Sequence, residues 1–388
     1  MEQGSILPFF EQDHLALRTR LREWVHSNLS AYPGIARDVA TEARRIVKAL
    51  GAAEFLKYAV PRSFGGRHDE VQARDLCIVR EELACGEALA DTMFAVQALG
   101  SHPISIAGTE KQKNRYLPPL ARGTKIAAFA LTEPEAGSDV SSLQTMAVKR
   151  GEEYLISGTK RFISNAGIAD HYIVFASSDP KQRARGISAF IVEANSPGMK
   201  ITEKTELLSP HPIGALSFEE CMVPEEALLG KEGDGLKIAF GTLDLLRCTV
   251  GAAAVGFAQR ALEEAIRYSS SRYQFGKTIA EFQGIQFKLA EMATDLEAAR
   301  LLVYQAAWTH DCGGEGQKQK SSMAKLFATE AAQKIVDQSL QIHGGAGLVA
   351  DSIMERLYRD VRALRIYEGT SEIQKLIIAR ELLKKPKP

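Results

Sequence analysis

The sequence has no excess of charge of either sign. Its 388 residues include 48 lysines plus arginines and 48 aspartates plus glutamates, so the formal net charge is zero. Because no net field attracts the chain to polyanions, the composition disfavours nucleic-acid binding and attachment to an anionic membrane. A local basic site for a phosphate-bearing ligand is still allowed.

Cysteine is scarce, and the eight histidines are dispersed. The five cysteines are odd in number and show neither metal-ligand spacing nor a disulfide framework. His310 and Cys312 are close together, but two residues do not make a zinc site, so we expect no metal. A reducing compartment is expected, either a bacterial cytoplasm or a mitochondrial matrix. The cysteines are Cys77, Cys85, Cys221, Cys248 and Cys312.

Long apolar runs are also missing. No stretch approaches the roughly 18 residues of a spanning helix, so no membrane segment is expected. Residues 1–5 lack a basic segment followed by an apolar run, and we expect no signal peptide.

The sequence contains 45% apolar and 25% charged residues, which is typical of a globular protein. The chain is longer than one core usually holds, so two or three domains are expected. Residues 10–120 have helical periodicity, broken at Pro61 and Gly65. Short apolar runs from Ile126 onward predict strands, with a hairpin at Gly158 and Thr159.

Helical periodicity returns at about residue 236 and predicts long antiparallel helices. We therefore predict a helical domain over 1–125, a β-domain over 126–233 and a four-helix bundle over 234–388. The third apolar stripe of the last domain is predicted to contain Met323, Phe327, Ile335 and Leu340.

Residues 366–374 (IYEGTSEIQ) place one acid, Glu368, between an aromatic residue and a glycine. Glycine permits a tight turn, so the acid can sit on a bend. Thr370 and Ser371 then predict the N-cap of a helix. By itself this pattern favours a capped surface turn.

Four further segments could contact a ligand, and each has a simpler structural explanation. In residues 132–139 a polar loop with a glycine follows a strand. In residues 160–165 the alternation of a strand puts Phe162 and Ser164 on one side, where a ring and a hydroxyl could both meet a ligand. The same residues are also explained by a phenylalanine in the core beside an exposed serine. Arg272 suits a diphosphate or a solvated loop. The glycines of residues 341–347 suit a helix C-cap or a close approach to a cofactor.

The order and spacing of five segments resemble the acyl-CoA dehydrogenase family over nearly the whole chain. The segments are residues 129–139 (FALTEPEAGSD), 158–165 (GTKRFISN), 272–276 (RYQFG), 341–345 (QIHGG) and 366–370 (IYEGT). The resemblance implies an α+β, mainly α, fold with a helical N-terminal domain, a central β-barrel-like domain and a C-terminal four-helix bundle. It also implies non-covalent FAD and a homotetramer.

The same resemblance implies roles for individual residues. Glu368 matches the catalytic base, and its amide matches a donor to the thioester oxygen. The residues that match FAD contacts are Phe129, Leu131, Thr132, Gly137, Ser138, Phe162, Ser164, Arg272, Phe275, Gln283, Gln341, Gly345, Thr370 and Glu372. The residues that match substrate or CoA contacts are Ser138, Asp244, Arg247, Tyr367 and Gly369.

Some positions depart from the commonest family pattern. Phe162 stands where tryptophan is usual, and Ser164 where threonine is usual. Residues 211–214 (HPIG) replace a glycine–arginine segment. Leu246 occupies the position where some members place the base, and leucine cannot act as one.

The implied activity is α,β-dehydrogenation of an acyl-CoA thioester, with electrons passed to electron-transfer flavoprotein, as in β-oxidation. Alternatives are an oxygen-using relative, either an oxidase or a flavin monooxygenase, and a non-enzymatic relative that binds nucleic acid. The acyl group is open, and helices near residues 85–100 are expected to set the depth of its pocket. There Asp91 is expected to be a helix cap rather than a second acid.

Overall fold

The structure is a computed structural model that describes residues 9–29 and 38–384. The segment where no signal peptide is expected, residues 1–5, lies outside the described residues. The helices are α1 Gln12–Asn28, α2 Val39–Ala52, α3 Ala73–Gly86, α4 Ala88–Ala107, α5 Glu110–Ala121, α6 Gly235–Ser271, α7 Gln283–Asp311, α8 Gln317–His343, α9 Ile353–Ala363 and α10 Ser371–Leu382. The strands are β1 Ala127–Ala130, β2 Met146–Arg150, β3 Glu153–Ser164, β4 His171–Ser177, β5 Ile187–Glu193, β6 Met199–Lys204, β7 Ile213–Pro224, β8 Leu228–Leu229, β9 Tyr273–Gln274 and β10 Lys277–Thr278.

These elements confirm the predicted α+β class, with helices, then a sheet region, then helices. Packing groups the chain into two compact units. The first unit contains Met1–Arg37, Gln72–Asp91 and Asp244–Pro388, and the second contains Asp38–Val71 and Thr92–Leu243. The division into three domains at residues 125 and 233 stays a prediction.

The second unit is built on an eight-stranded sheet in the order β6-β7-β3-β2-β4-β5-β8, with β1 paired in parallel to β4. Six of the seven β5 residues and all seven β4 residues are buried. Such continuous apolar strands are expected where both faces of a sheet are covered. A core cluster that includes Ile104 and Leu117 from the helices packs against Ile173 and Phe175 of β4.

The predicted hairpin at Gly158 is wrong, because β3 runs continuously from Glu153 to Ser164. Its pairing with β7 has irregularities between Ile156 and Gly158 and between Lys160 and Ile163. Gly158 has a φ of 146°, and a Cβ there would lie 2.7 Å from the Cα of Thr145. The glycine therefore serves a bulge and a close approach to the segment that precedes β2, not a turn.

The first unit is helical. Helix α6 follows the helical periodicity predicted from about residue 236, and its apolar residues are largely buried. Arg272 to Phe282 form the connection to α7, with the short β9–β10 hairpin inside it. The predicted stripe of α8 is partly wrong, since Phe327 is 39% exposed. The buried face of α8 is made mainly of small and polar residues, among them Ser322, Lys325 and Thr329.

Helix α6 corrects the expectation that no segment has the apolarity of a membrane span. By length and composition alone α6 is long and apolar enough to cross a membrane. However, 78% of its apolar 18-residue window is buried inside the protein. A core helix of this kind needs no lipid to cover it.

Two of the scattered cysteines meet in the first unit. The Sγ atoms of Cys77 on α3 and Cys248 on α6 are 4.0 Å apart, and both thiols are free. In the part of the chain that the structure describes, no group of three or more histidine, cysteine, aspartate or glutamate residues is arranged to hold a metal ion.

Candidate active site

Glu368 lies on the bend between α9 and α10, where the sequence predicted a presented acid. Its φ is 52°, a left-handed conformation that is uncommon for a residue with a side chain. The following Gly369 has a φ of 89°, and a Cβ there would lie 2.7 Å from Nε2 of Gln374. Thr370 then caps α10, since its hydroxyl accepts from the amide of Ile373. The predicted turn and cap are both confirmed.

The carboxyl group of Glu368 is enclosed although the residue as a whole is only half-buried. Its Oε2 atom is buried and has no hydrogen-bond partner among the described residues. Burial raises the pKa of Glu368 above its usual value, against the opposing effect of nearby cations. An enclosed carboxylate with a free oxygen and a raised pKa has the properties of a general base.

Three cations and one acid act on this carboxyl group. Arg80, Lys325 and Arg247 favour the ionised form, in that order of strength, and Asp91 disfavours it. They come from α3, α8, α6 and the first turn of α4, and all belong to the first unit.

Lys325 fixes the backbone on both sides of the acid. Its Nζ atom donates to the carbonyl of Tyr367 at 2.8 Å and to the carbonyl of Gly369. The side chain is fully buried, and burial lowers its pKa to about 8. Because buried lysines need such partners, the loop that carries Glu368 and the interior of α8 specify each other.

Asp91 is not the helix cap that the sequence suggested. It lies inside the first turn of α4, is 2% exposed and pairs with Arg80, whose Nε and Nη2 donate to its two carboxylate oxygens at 2.8 and 2.9 Å. A bidentate pair of this kind fixes the plane of the guanidinium. Sequence periodicity missed Arg80 because an arginine beside apolar helix residues gives no sign of its distant partners.

The predicted CoA-facing pair on α6 is a local ion pair, with Arg247 Nη1 2.5 Å from an oxygen of Asp244. The Nε atom of Arg247 is buried without a partner among the described residues. Leu246 is buried and has no acid–base function. The first unit therefore brings together Glu368, Tyr367, Gly369 and Arg247 from the predicted site, and the CoA contacts stay a prediction.

The second unit contains the polar loop after β1, and a buried ion pair holds it. Glu133 accepts from the amides of Gln144 and Thr145 at 2.5 and 3.0 Å and from Lys160 Nζ at 2.7 Å. Burial by itself would raise the pKa of Glu133, but Lys160 and the backbone donors hold it below its usual value. Lys160 Nζ also donates to the carbonyl of Leu131.

Predicted flavin contacts in this loop divide into buried and exposed residues. Leu131 belongs to the core cluster, and the ring of Phe129 packs 4.8 Å from that of Phe175. Leu131 is buried, whereas Phe129 is half-buried and keeps part of its side chain accessible. Gly137 and Ser138 are exposed, and a Cβ at Gly137 would meet nothing within 4 Å.

Phe162 and Ser164 lie where β3 departs from regular pairing. Phe162 has a φ of 56° and is 49% exposed, so the bulge removes the simple alternation by which the sequence put both side chains on one face. Ser164 Oγ is 3.0 Å from Nε2 of His211, whose Nδ1 faces the carbonyl of Ser209. Because a carbonyl only accepts, Nδ1 is assigned the hydrogen and Nε2 accepts from Ser164.

Five of the residues that match FAD contacts in the family are exposed. Phe275, at the tip of the β9–β10 hairpin, is 92% exposed. The others in this set are Arg272, Gln283, Gln341 and Gly345. Glu372 is also exposed, and Thr370 is half-buried at the start of α10.

Comparison with known proteins identifies the family of this chain. Sequence models of three acyl-CoA dehydrogenase domains match the chain: the N-terminal domain over residues 11–124, the middle domain over 128–221 and the C-terminal domain over 233–383. The chain belongs to the acyl-CoA dehydrogenase family. It is therefore an oxidoreductase of the class that acts on CH–CH bonds, and FAD is the cofactor of this family.

Three curated members of the family are similar over most of their length. An acyl-CoA dehydrogenase of Bacillus subtilis strain 168 is 42% identical over 96% of this chain and 98% of its own. A 3-(aryl)acrylate reductase of Clostridium sporogenes is 39% identical over 97% and 100%. The caffeyl-CoA reductase-Etf complex subunit CarC of Acetobacterium woodii is 41% identical over 85% and 87%.

Solved acyl-CoA dehydrogenase structures share the fold. Butyryl-CoA dehydrogenase from Megasphaera elsdenii has a TM-score of 0.89 and 34% identity, covering 99% of this chain and 100% of its own. An acyl-CoA dehydrogenase from Bacillus anthracis complexed with FAD has a TM-score of 0.87 and 32% identity, covering 97% and 68%.

Proposed function

We propose that the protein catalyses FAD-dependent α,β-dehydrogenation of an acyl-CoA thioester to the trans-2-enoyl-CoA, with Glu368 as the base that removes the α proton. The observation that carries this proposal is the enclosed Glu368 carboxyl group, with its free Oε2 and raised pKa, beside three cations. A solvated carboxylate is a weak base toward a carbon acid, and enclosure strengthens it.

The residues present fit a flavin. Gly137 leaves open space at its Cα, and the exposed Ser138 and half-exposed Phe162 can offer a hydroxyl and a ring face. We propose that these residues, with Thr132 and Ser164, hold FAD. When bound, FAD supplies the acceptor for the hydride of the substrate's β carbon.

The protein's own contribution to the reaction is to hold and move one proton. Oε2 of Glu368 takes the α proton, while Arg80, Lys325 and Arg247 favour the charged form before transfer. The Glu368 amide is assigned to the thioester oxygen, where a donor stabilises developing negative charge. Lys325 keeps this amide and the carboxyl group in a fixed relation, because it holds the carbonyls of both neighbouring residues.

We propose electron-transfer flavoprotein as the electron acceptor and a homotetramer as the assembly. Support for the acceptor is the similarity to a subunit of a reductase-Etf complex. Support for the assembly is the β9–β10 hairpin, where Tyr273 and Phe275 are 65% and 92% exposed, since neighbouring exposed aromatic rings suit burial by a second subunit.

A second candidate is the reverse reaction, reduction of a 2-enoyl thioester. It is favoured by the names of two relatives, a 3-(aryl)acrylate reductase and a caffeyl-CoA reductase-Etf subunit. In this direction protonated Glu368 gives its proton to the α carbon, and FAD in its reduced form would supply the hydride that the β carbon receives. Rates in both directions on saturated, enoyl and arylacryloyl thioesters would separate the two candidates and define the acyl group.

The variant Glu368→Gln tests the assignment of the base. It keeps the size of the side chain and removes the proton acceptor, so we expect bound yellow FAD and a rate of flavin bleaching by acyl-CoA without oxygen that is lower by about 10²- to 10⁴-fold. The matched control is Glu355→Gln on α9, where the acid pairs with Arg359. This control should keep its rate. A Glu368→Gln enzyme with most of its activity would refute the proposal.

A further inference from the structure

The Arg80 guanidinium is held in the first unit from three sides. Asp91 accepts two hydrogen bonds, at 2.8 and 2.9 Å, and the Thr249 hydroxyl accepts a third from Nη1 at 3.1 Å. A further hydrogen bond joins Arg80 to the Tyr367 side chain. Both Arg80 and Asp91 are 2% exposed, so neither can move into water. The geometry therefore fixes one positive charge next to the residue that precedes Glu368.

Each charged group that faces Glu368 can be assigned to an element. The cations are Arg80 on α3, Arg247 on α6 and Lys325 on α8. The only opposing acid among those groups is Asp91 in the first turn of α4, and the Tyr367 hydroxyl also interacts with the carboxyl group. Asp91 is therefore the one group that both orients the strongest cation and reduces its effect.

A contribution to folding stability is a weak explanation for this pair. Removing two charges from water offsets most of their attraction, and apolar residues of the same volume often replace a buried ion pair without loss of stability. A role toward Glu368 gives the pair a function that apolar residues could not supply.

We propose that Arg80 and Asp91 act together as positioning residues for the base: Arg80 places a fixed positive charge beside Glu368, and Asp91 aligns that charge and limits its strength. The inference rests on the proposed role of Glu368. It assigns to this chain two residues that act on the base through their charges and set the pH range in which the base is ionised.

The test exploits the opposite signs of the two charges. In the dehydrogenation direction the rate rises with pH as Glu368 loses its proton. Asp91→Asn removes the acid, so the pKa of Glu368 falls and the acid limb of the pH–rate profile moves to lower pH. Arg80→Met removes the cation, so the pKa rises and the limb moves to higher pH.

On the acid limb, at one fixed pH, we expect Asp91→Asn to speed the proton-transfer step by about threefold to tenfold, and Arg80→Met to slow it by a similar or larger factor. The measurement is single-turnover flavin bleaching at saturating acyl-CoA over a range of pH. Arg80→Lys should restore the position of the limb, because it keeps the charge, but not the full rate, because an ammonium cannot form the bidentate pair.

Asp311→Asn is the matched control, because Asp311 forms another buried arginine pair of this unit, with Arg74 at 2.8 Å. It should lower stability and leave the acid limb in place. If Arg80→Met does not fold, the direction of the shift in Asp91→Asn decides the test.

Shifts of the two variants in the same direction, or no shift in Asp91→Asn, would overturn the inference. Glu368→Gln separates this result from a failure of the proposed function. If that variant is inactive and the limb does not move, the base stands and the positioning role falls. If that variant is active, the proposed function itself falls.

Discussion

Two buried lysines, one in each unit, hold two glutamates in opposite ways. Lys160 and Lys325 are both fully buried, and burial lowers the pKa of each to about 8. Lys160 binds the Glu133 carboxylate directly, at 2.7 Å. Lys325 binds the carbonyls on either side of Glu368 and leaves the Oε2 atom of that acid without a partner among the described residues.

The pKa shifts of the two acids follow from this difference. The pKa of Glu133 is lowered, because its oxygens are satisfied by a cation and two backbone donors. The pKa of Glu368 is raised, because burial outweighs cations that are near but not bonded to it. A fully bonded carboxylate stabilises a loop, whereas a partly bonded one is available for proton transfer.

The largest expected effect comes from breaking the Glu133 pair. Lys160→Met leaves a buried carboxylate without its cation, and the loss of one partner of such a pair typically lowers the free energy of unfolding by about 3–5 kcal/mol. Denaturant titration of the FAD-loaded protein would measure it. Because the loop of residues 132–139 depends on Glu133, the variant should also release FAD at lower denaturant concentration.

The control for this variant is Lys149→Met, which removes an exposed pair with Glu225. Exposed pairs contribute about 0–1 kcal/mol, so the unfolding free energy should hardly change. Equal losses in the buried and exposed variants would contradict the distinction between the two lysines.

A smaller change in the free energy of unfolding, of opposite sign, is expected when Glu368 is replaced. The raised pKa means that the folded state binds this proton more tightly than the unfolded chain does. Its contribution to stability is therefore fully present below the pKa of an ordinary glutamate and is lost as pH rises through the raised value. Glu368→Gln should thus stabilise the protein at pH 7 relative to wild type, and not at pH 4.

Glu133→Gln should behave in reverse, since the lowered pKa of Glu133 gives stability above the unfolded pKa that is lost as pH falls through the folded value. Thermal unfolding at several pH values would measure both variants. A common sign for the two variants at pH 7 would argue against the comparison.

The smallest effect is expected at the cap of α10. Thr370→Ala removes the hydroxyl that accepts from the amide of Ile373, which lowers stability by about 0.5–1 kcal/mol. Ser352→Ala removes the equivalent cap of α9, where the hydroxyl accepts from Glu355. Both variants should lose similar stability, but only Thr370→Ala should slow turnover, because its cap adjoins the Glu368 bend. Equal turnover in the two variants would show that the cap has no influence on the base.

The local features of both sites could be predicted from the sequence. Gly369 and Thr370 specify a turn and a cap within a few residues of Glu368, and the helical periodicity after residue 236 predicted the long helices of the first unit. The five family segments gave the fold. The turn and the cap depend only on neighbouring residues, so a short stretch of sequence is enough to predict them.

The charges around Glu368 could not be predicted in this way. Lys325 contacts carbonyls 42 and 44 residues away, and Arg80 meets Asp91 only because α3 and the start of α4 pack together. Neither helix shows by its own sequence which distant groups its cation will meet. The prediction of a hairpin at Gly158 failed for a similar reason. Glycine is needed there because Thr145, on another segment, leaves no room for a Cβ.

The left-handed backbone at Glu368 has a consequence for directed evolution. A residue with a side chain in this conformation is disfavoured by about 1–2 kcal/mol relative to glycine. Selection for heat tolerance alone would therefore favour glycine or asparagine at position 368 and yield robust, inert descendants. Libraries screened without a substrate should be examined first at this codon.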